Sequence, residues 1–285
     1  MKVDFHCHTT ASDGALKPQQ LIDLAVQYDV ATLAITDHDT TQGYSDALEY
    51  ASQKNIRLIS GVEASCDWQG HTIHIVGLDF DHDHPTLQNG LRNIRHLRQQ
   101  RADAMIEKLS SRPNFSKLDL AALLAEQVQD GVVGRGHFAQ LLIQQNYVKN
   151  SQQAFDKYLK KGRVGYVKSE WPELVEVVNW IKQANGIAVI AHPSIYKFTS
   201  RKLNRLIEDF IAAGGRGIEV VNQPRPSSEI IGMAERAQRY ELLASVGSDF
   251  HRPEHNWRGL GWLAPLPDQC RPVWEHFRNP LKTLS

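Results

Sequence analysis

Two imidazoles one residue apart, His6 and His8, close the first apolar run of this 285-residue chain. Side chains alternate along an extended strand, so both rings point to one face and can bind one metal ion. The same residue types recur further on: Asp13 in the following loop, His38 after Thr36-Asp37, Glu63 after Gly61-Val62, His74, His192 before Pro193, and Asp249 and His251 after Gly247-Ser248. These nine groups are too many for one ion and suit two or three. Imidazole and carboxylate without thiolate favour zinc, manganese or iron over copper or iron–sulfur centres. Burying so many ionisable groups together without a metal costs roughly several kcal/mol per unpaired charge.

The elements that must position these groups follow from the pattern of apolar residues. Short β-branched runs at 3–6, 31–36, 56–62, 72–78, 186–191, 217–221 and 242–247 read as strands. Amphipathic stretches at 17–28, 42–54, 172–185, 200–213 and 227–240 read as helices between them. Such alternation predicts an α/β fold with a mostly parallel sheet, open or closed into a barrel. Residues 66–71 are too short for a crossover and read as a hairpin. Six of the seven strands carry a histidine or acid at or near the end where the catalytic loops of α/β barrels gather.

From about 85 to 164 the alternation stops and helical periodicity takes over, with helices expected at 87–109, 117–127, 136–145 and 151–160. The expected organisation is residues 1–84 with 165–285 as a barrel carrying the metal site, and 85–164 as a helical insertion that caps it. The tail from Pro265 is punctuated by prolines and is expected to pack on the surface. His71, His82, His84, His96, His255 and His276 are read as ordinary surface or hydrogen-bonded residues.

Lys+Arg and Asp+Glu both number 32, which excludes a basic nucleic-acid coat and an acidic tail. A binder of long duplex DNA would show a basic stripe, whereas a mononucleotide or a short oligonucleotide end fits a neutral chain. No run approaches the roughly 18 apolar residues of a membrane span, and MKVDFHCH does not start a signal peptide. Three cysteines, Cys7, Cys66 and Cys270, are too few and too irregular for a disulfide framework. A cytoplasmic protein without membrane partners is expected.

The motifs Asp4-Phe5-His6-Cys7-His8 through Asp13-Gly14, Ile35-Thr36-Asp37-His38-Asp39, Gly61-Val62-Glu63, His74-Ile75-Val76-Gly77, Ala191-His192-Pro193 and Gly247-Ser248-Asp249-Phe250-His251 resemble the polymerase and histidinol phosphatase (PHP) superfamily. The inserted motifs Gly134-Arg135-Gly136-His137, Phe155-Asp156-Lys157-Tyr158 and Gly165-Tyr166-Val167 look like its TrpH or RNase AM branch. The resemblance implies a distorted seven-stranded (β/α) barrel. It also implies hydrolysis of the 3′-phosphate of 3′,5′-nucleotide bisphosphates, with 5′-to-3′ trimming of short RNA. His6, His8, Glu63 and Asp249 would hold a first metal, and Glu63 would bridge to a second held by His74 and His192. Asp13, His38 and His251 would hold a third. The expected cofactors are two or three divalent ions, Mn2+ first and Zn2+ or Fe2+ next.

Phosphate-ester hydrolysis asks a protein for hydroxide at neutral pH and for positive charge around the phosphoryl oxygens, and metal ions supply both. The expectation is in-line attack on phosphorus by a water activated between two metals, with Asp249, Glu63 and His192 as the catalytic protein groups. Arg135 is the expected anchor for a second phosphate, since a guanidinium reads phosphate bidentately, with His137 and Lys168 assisting. Arg163 is a weaker candidate for that task. Trp171 and Tyr196 have faces on which a base could stack. The rival readings are another PHP phosphatase, such as a histidinol phosphatase, and a polymerase-associated nuclease or non-catalytic module.

Overall fold

Strands whose middles are wholly apolar can be buried on both faces, which leaves their ends to carry the polar groups. The computed structural model describes residues 2–129, 131–254 and 258–281, so the histidine at 255 lies outside the described residues. The chain begins with β1 (Lys2–Cys7), α1 (Pro18–Gln27), β2 (Val30–Ile35), α2 (Gln42–Gln53), β3 (Arg57–Trp68) and β4 (His71–Leu78). Helices follow: α3 (Pro85–Ser110), α4 (Leu120–Val128), α5 (Arg135–Gln144) and α6 (Ser151–Ala154), which widens into a π-helical turn over Phe155–Leu159. Alternation resumes with α7 (Leu174–Gln183), β5 (Ile187–Ile190), α8 (Ser200–Ala212), β6 (Gly217–Val221), α9 (Ser228–Arg239), β7 (Leu243–Val246) and the two-residue β8 (Arg271–Pro272).

Local chemistry sets several helix starts. The Asp119 side chain accepts the Ala122 N–H at 3.0 Å, and Asn150 accepts that of Gln153 at 3.0 Å. Thr199 and Ser227 cap α8 and α9 in the same way. Among the described residues, no helix is long and apolar enough to cross a membrane.

The strands pair in sequence order. All pairings are parallel except those of β4, which runs antiparallel to β3 and β5. The expected hairpin is present: β3 and β4 pair from Gly61↔Leu78 to Trp68↔His71 and turn at Gln69-Gly70, both at positive φ. The two ends of the sheet then meet. Cys7 bridges Phe250 in parallel, the Asp249 N–H donates to the His6 carbonyl at 2.7 Å, and the His8 N–H donates to the Phe250 carbonyl at 2.8 Å. This closure sets the end of β1 against the chain leaving β7, the two segments richest in candidate ligands.

The tail departs from expectation. Val273 is fully buried, Phe277 is 2% exposed, and the Phe277 ring meets Phe5 edge-on at 5.4 Å. The tail covers the Phe5 ring with Trp274 and Phe277, while β8 pairs with the start of β7. α3 serves two cores. Leu87, Leu91 and Ile94 pack into the barrel cluster, whereas Ala102, Met105 and Leu109 pack with α4, α5 and Leu159.

Candidate metal centre

Glu63 lies in the middle of the buried run of β3 with its side chain almost wholly enclosed, and five imidazoles surround its two oxygens. His192 Nε2 and His74 Nδ1 lie 2.8 and 2.9 Å from Oε1. His38 Nδ1 lies 3.0 Å from Oε2, and His6 Nε2 and His8 Nε2 each lie 3.3 Å from it. The backbone explains this convergence. His6 and His8 end β1, His38 follows β2 and bridges Glu63, and His192 follows β5. His74 sits in the first half of β4, and because β4 is antiparallel that half lies where the parallel strands end.

Asp249 and Asp13 extend the cluster. Asp249 Oδ1 is 3.3 Å from His8 Nε2 and 3.5 Å from His251 Nδ1. Asp13 Oδ1 is 3.2 Å from His251 Nε2 and 3.9 Å from His38 Nε2. All nine residues singled out as ligands in the sequence therefore meet at one end of the barrel. Eight of them fall into three overlapping groups with metal-ligand spacing: His6, His8, Glu63 and Asp249; His38, Glu63 and His74; and His8, Asp13, His38 and His251. His192 stands outside these groups and joins the cluster through Glu63 Oε1. His38 stands between the second and third groups, with one ring nitrogen toward each.

The donor set fits a metal. His6 Nε2, both ring nitrogens of His8, His38 Nδ1, Asp13 Oδ1, Glu63 Oε2 and His192 Nδ1 are buried without a hydrogen-bond partner among the described residues. Buried polar atoms are rarely left so, and these belong to residues of the cluster. The donors, nitrogen and oxygen only, suit divalent ions such as zinc, manganese or iron. His192 at φ 30 and Asp249 at φ 52 adopt left-handed backbone conformations.

The electrostatics are those of carboxylates wrapped in imidazoles. Burial works to lower the His6 imidazolium pKa, but the Glu219 and Glu63 carboxylates outweigh it and hold it well above the usual histidine range. For His251, burial is likewise outweighed by Asp13 and Asp249, which push it up to about 9. Burial alone would raise Asp249 and Asp13, yet the neighbouring imidazoles, His251 foremost, hold both carboxyls well below their ordinary value. His38 is held low, by burial first.

Several supporting residues carried no role in the sequence reading. Glu219, in the middle of β6, sets Oε1 2.6 Å from His6 Nδ1 and accepts the His192 N–H on Oε2 at 2.5 Å. A carboxylate inside the buried run Gly217–Val221 was the available signal, because such a group must find partners. Asp37 accepts the Thr9 N–H and the Thr9 and Ser12 hydroxyls at 2.6–2.7 Å, fixing the loop that carries Asp13. Arg258 pairs with Asp249 Oδ2. Arg98 reaches from α3 to Asp39 at 2.5 Å and to the Ser65 hydroxyl at 3.0 Å. Gly247 is glycine because a Cβ there would collide with that of His6.

The expected substrate contacts are spread out. Arg135 begins α5, with its guanidinium 5.7 Å from the Phe155 ring centre and no hydrogen bond or ion pair among the described residues. His137 Nδ1 accepts the Gly134 N–H at 3.0 Å and so closes the start of α5 beside Asp13. Lys168 and Arg163 are exposed. Trp171 is buried with its indole N–H on Thr72 Oγ1 at 3.2 Å, and the Tyr196 hydroxyl accepts the His74 N–H at 2.9 Å. The Tyr196 ring lies 5.5 Å from that of His192, whereas the Trp171 ring packs against the Arg98 and Arg101 guanidiniums. Of the remaining histidines, His71 meets Lys202, His82 meets Asp83, His96 meets Gln100, and His84 precedes α3, all outside the cluster. His276 lies in the tail.

A family profile described as "PHP domain" matches residues 4–168, more than half of the chain. The chain belongs to the PHP family. A 3′,5′-nucleoside bisphosphate phosphatase from Chromobacterium violaceum is 41% identical over 275 residues, which cover 96% of each chain. A 5′-3′ exoribonuclease from Haemophilus influenzae is 42% identical, covering 97% of this chain and 99% of its own. Among solved structures, one from C. violaceum described as an amidohydrolase with bound sulfate and no metal superposes with a TM-score of 0.89 at 39% identity, covering 97% of this chain and 95% of its own. The PHP fold read from the motifs is thereby established, and its members' distorted barrel agrees with the closure described above.

Proposed function

We propose that this PHP protein is a metal-dependent phosphoesterase that removes the 3′-phosphate of 3′,5′-nucleotide bisphosphates and trims short RNA from its 5′ end. One observation carries the reading: unpartnered buried nitrogen and oxygen atoms converge around Glu63 in a chain that aligns end to end with relatives bearing those two activities. Two or three divalent ions, manganese first, would be held by His6, His8, Glu63 and Asp249, by Glu63, His74 and His192, and by Asp13, His38 and His251. Bound there, they would supply an activated water and positive charge for the phosphoryl oxygens.

The protein groups do the rest. Glu63 offers both oxygens to imidazoles on opposite sides, which suits a bridging ligand. Asp249 is held ionised, with Arg258 on its outer oxygen, and can orient or accept a proton at Oδ1. His192 keeps Nδ1 unpartnered and can move a proton there. Arg135, without a carboxylate partner, is our choice for the second phosphate, and His137 holds the start of α5 in place for it. Lys168 is an outer contact at most. Unpaired Cys7, Cys66 and Cys270 suit the reducing cytoplasm.

The test is product analysis with adenosine 3′,5′-bisphosphate and histidinol phosphate as parallel substrates of the Mn2+-loaded enzyme. Release of adenosine 5′-monophosphate and phosphate, with histidinol phosphate turned over at least about a hundredfold more slowly, is expected. Preference for histidinol phosphate would replace the reading with a different PHP phosphatase.

A further inference from the structure

A cleft of ≈ 940 Å3 opens from the candidate metal centre, with Asp13, Asp249 and His251 at its inner end. That size sits at the top of the roughly 300–1,000 Å3 occupied by single drug-sized ligands, so the cleft has room beyond one nucleotide. Its charges are one-sided. Apart from the two metal-candidate carboxylates, no acid lines it among the described residues, while Lys149, Arg252 and Arg258 do. Arg258 is engaged by Asp249. Arg252 and the Lys149 ammonium make no hydrogen bond or ion pair among the described residues, although Arg252 is partly buried.

The remaining wall is suited to nucleotides. Phe155 faces the cleft where α6 gives way to the π-helical turn, and the Arg135 guanidinium lies against its ring. An aromatic ring next to unpaired cations is how single-stranded nucleic acid is held without reading its sequence. The cavity shared by Arg98, Arg101 and Arg135 measures only ≈ 10 Å3 and has no room for a nucleotide.

We propose that this cleft is a subsite for the RNA strand beyond the scissile 5′ end, with Arg252 and Lys149 on internucleotide phosphates and Phe155 beneath a base. It deepens the function proposed above and rests on it for the reaction. The cleft then separates the two substrate classes. A mononucleotide bisphosphate uses its inner end, and an oligonucleotide fills it.

The experiment compares wild type with Arg252→Gln, Lys149→Gln, the double variant and Arg252→Lys, each loaded with Mn2+. Binding of a fluorescent trinucleotide with phosphorothioate linkages is measured against salt, and kcat/KM is measured on RNA trimers and on adenosine 3′,5′-bisphosphate. Each Gln variant is expected to bind the trimer about tenfold more weakly, with the log–log salt slope reduced by about 0.7 per cation removed, and Arg252→Lys to restore most of that slope. The loss of kcat/KM on RNA should exceed that on the bisphosphate by about tenfold. Unchanged trimer binding and salt slope, or equal losses on the two substrates, would overturn the subsite. A wild type that binds the trimer with the expected slope but cleaves neither substrate would support the subsite and overturn the proposed reaction.

Discussion

Glu219 Oε1 lies 2.6 Å from His6 Nδ1, and both side chains are buried. The contact fixes which ring nitrogen of His6 faces Glu63 and Asp249, because the other is committed to the carboxylate. The second oxygen of Glu219 takes the His192 N–H, so one residue on β6 sets two candidate ligands from two other strands. Substituting Glu219→Gln should weaken metal binding by about 10–100-fold with little change in fold. A metal titration followed by calorimetry measures this, and an affinity equal to that of wild type would show that His6 needs no such support.

Gly43 sits in α2 directly against the Asp37 network. By helix propensity alone, Gly43→Ala should stabilise α2 by about 1 kcal/mol. Here a Cβ would collide with Asp37 Oδ2 and stand 2.7 Å from Thr9 Oγ1. Steric conflict in a packed interior costs about 1–3 kcal/mol, so the net effect should be loss of stability and loosening of the loop that carries Asp13. Urea denaturation checks the sign, and a gain in the midpoint would refute it.

The α3 helix is tied to the barrel through Arg98, which is 8% exposed, and the fully buried Asp39. Removing one partner of a buried ion pair costs about 3–5 kcal/mol because the other charge is stranded. Arg98→Met should show that loss, and Arg98→Met with Asp39→Asn should lose less than the sum of the single variants. Strict additivity in a double-mutant cycle would mean that the pair does not couple helix to barrel.

His251 gives the metal-free protein a pH signature. Its folded pKa is about 9, above the unfolded value near 6.5. The stability it contributes is fully present below the unfolded value and is lost as pH rises through about 9. With chelator present, the difference in Tm between wild type and His251→Asn should therefore shrink between about pH 6.5 and pH 9.5. A difference that stays constant over that window would mean that Asp13 and Asp249 do not hold the imidazolium.

The cluster of candidate ligands was legible in the chain because strand periodicity delivers most of them to one end: His6 and His8 by alternation, and His38, His192 and Asp249 just past the close of their strands, whereas Glu63 lies in the middle of β3, which runs on to Trp68. The β3–β4 hairpin was legible from the six residues at 66–71, and it explains how His74 reaches the site from an antiparallel strand. The residues that support them were not. Glu219 lies in mid-strand rather than at an end, and Arg98 sits on a long helix whose charged face resembles any solvated surface until α3 is docked. The tail was misplaced because β8 spans two residues and prolines interrupt the rest, so Val273 and Phe277 carry no period that reveals their burial.

The cluster around Glu63 is proposed to be a polynuclear metal site for phosphate-ester hydrolysis. Its most direct measurement is phosphate release from adenosine 3′,5′-bisphosphate by chelator-stripped protein as Mn2+ is added in fractions of an equivalent. Negligible release is expected at zero metal, with a rise that breaks at about two to three ions per chain, the number that nine imidazole and carboxylate ligands suit. Activity that is full without metal, or absent at every ratio, would contradict it.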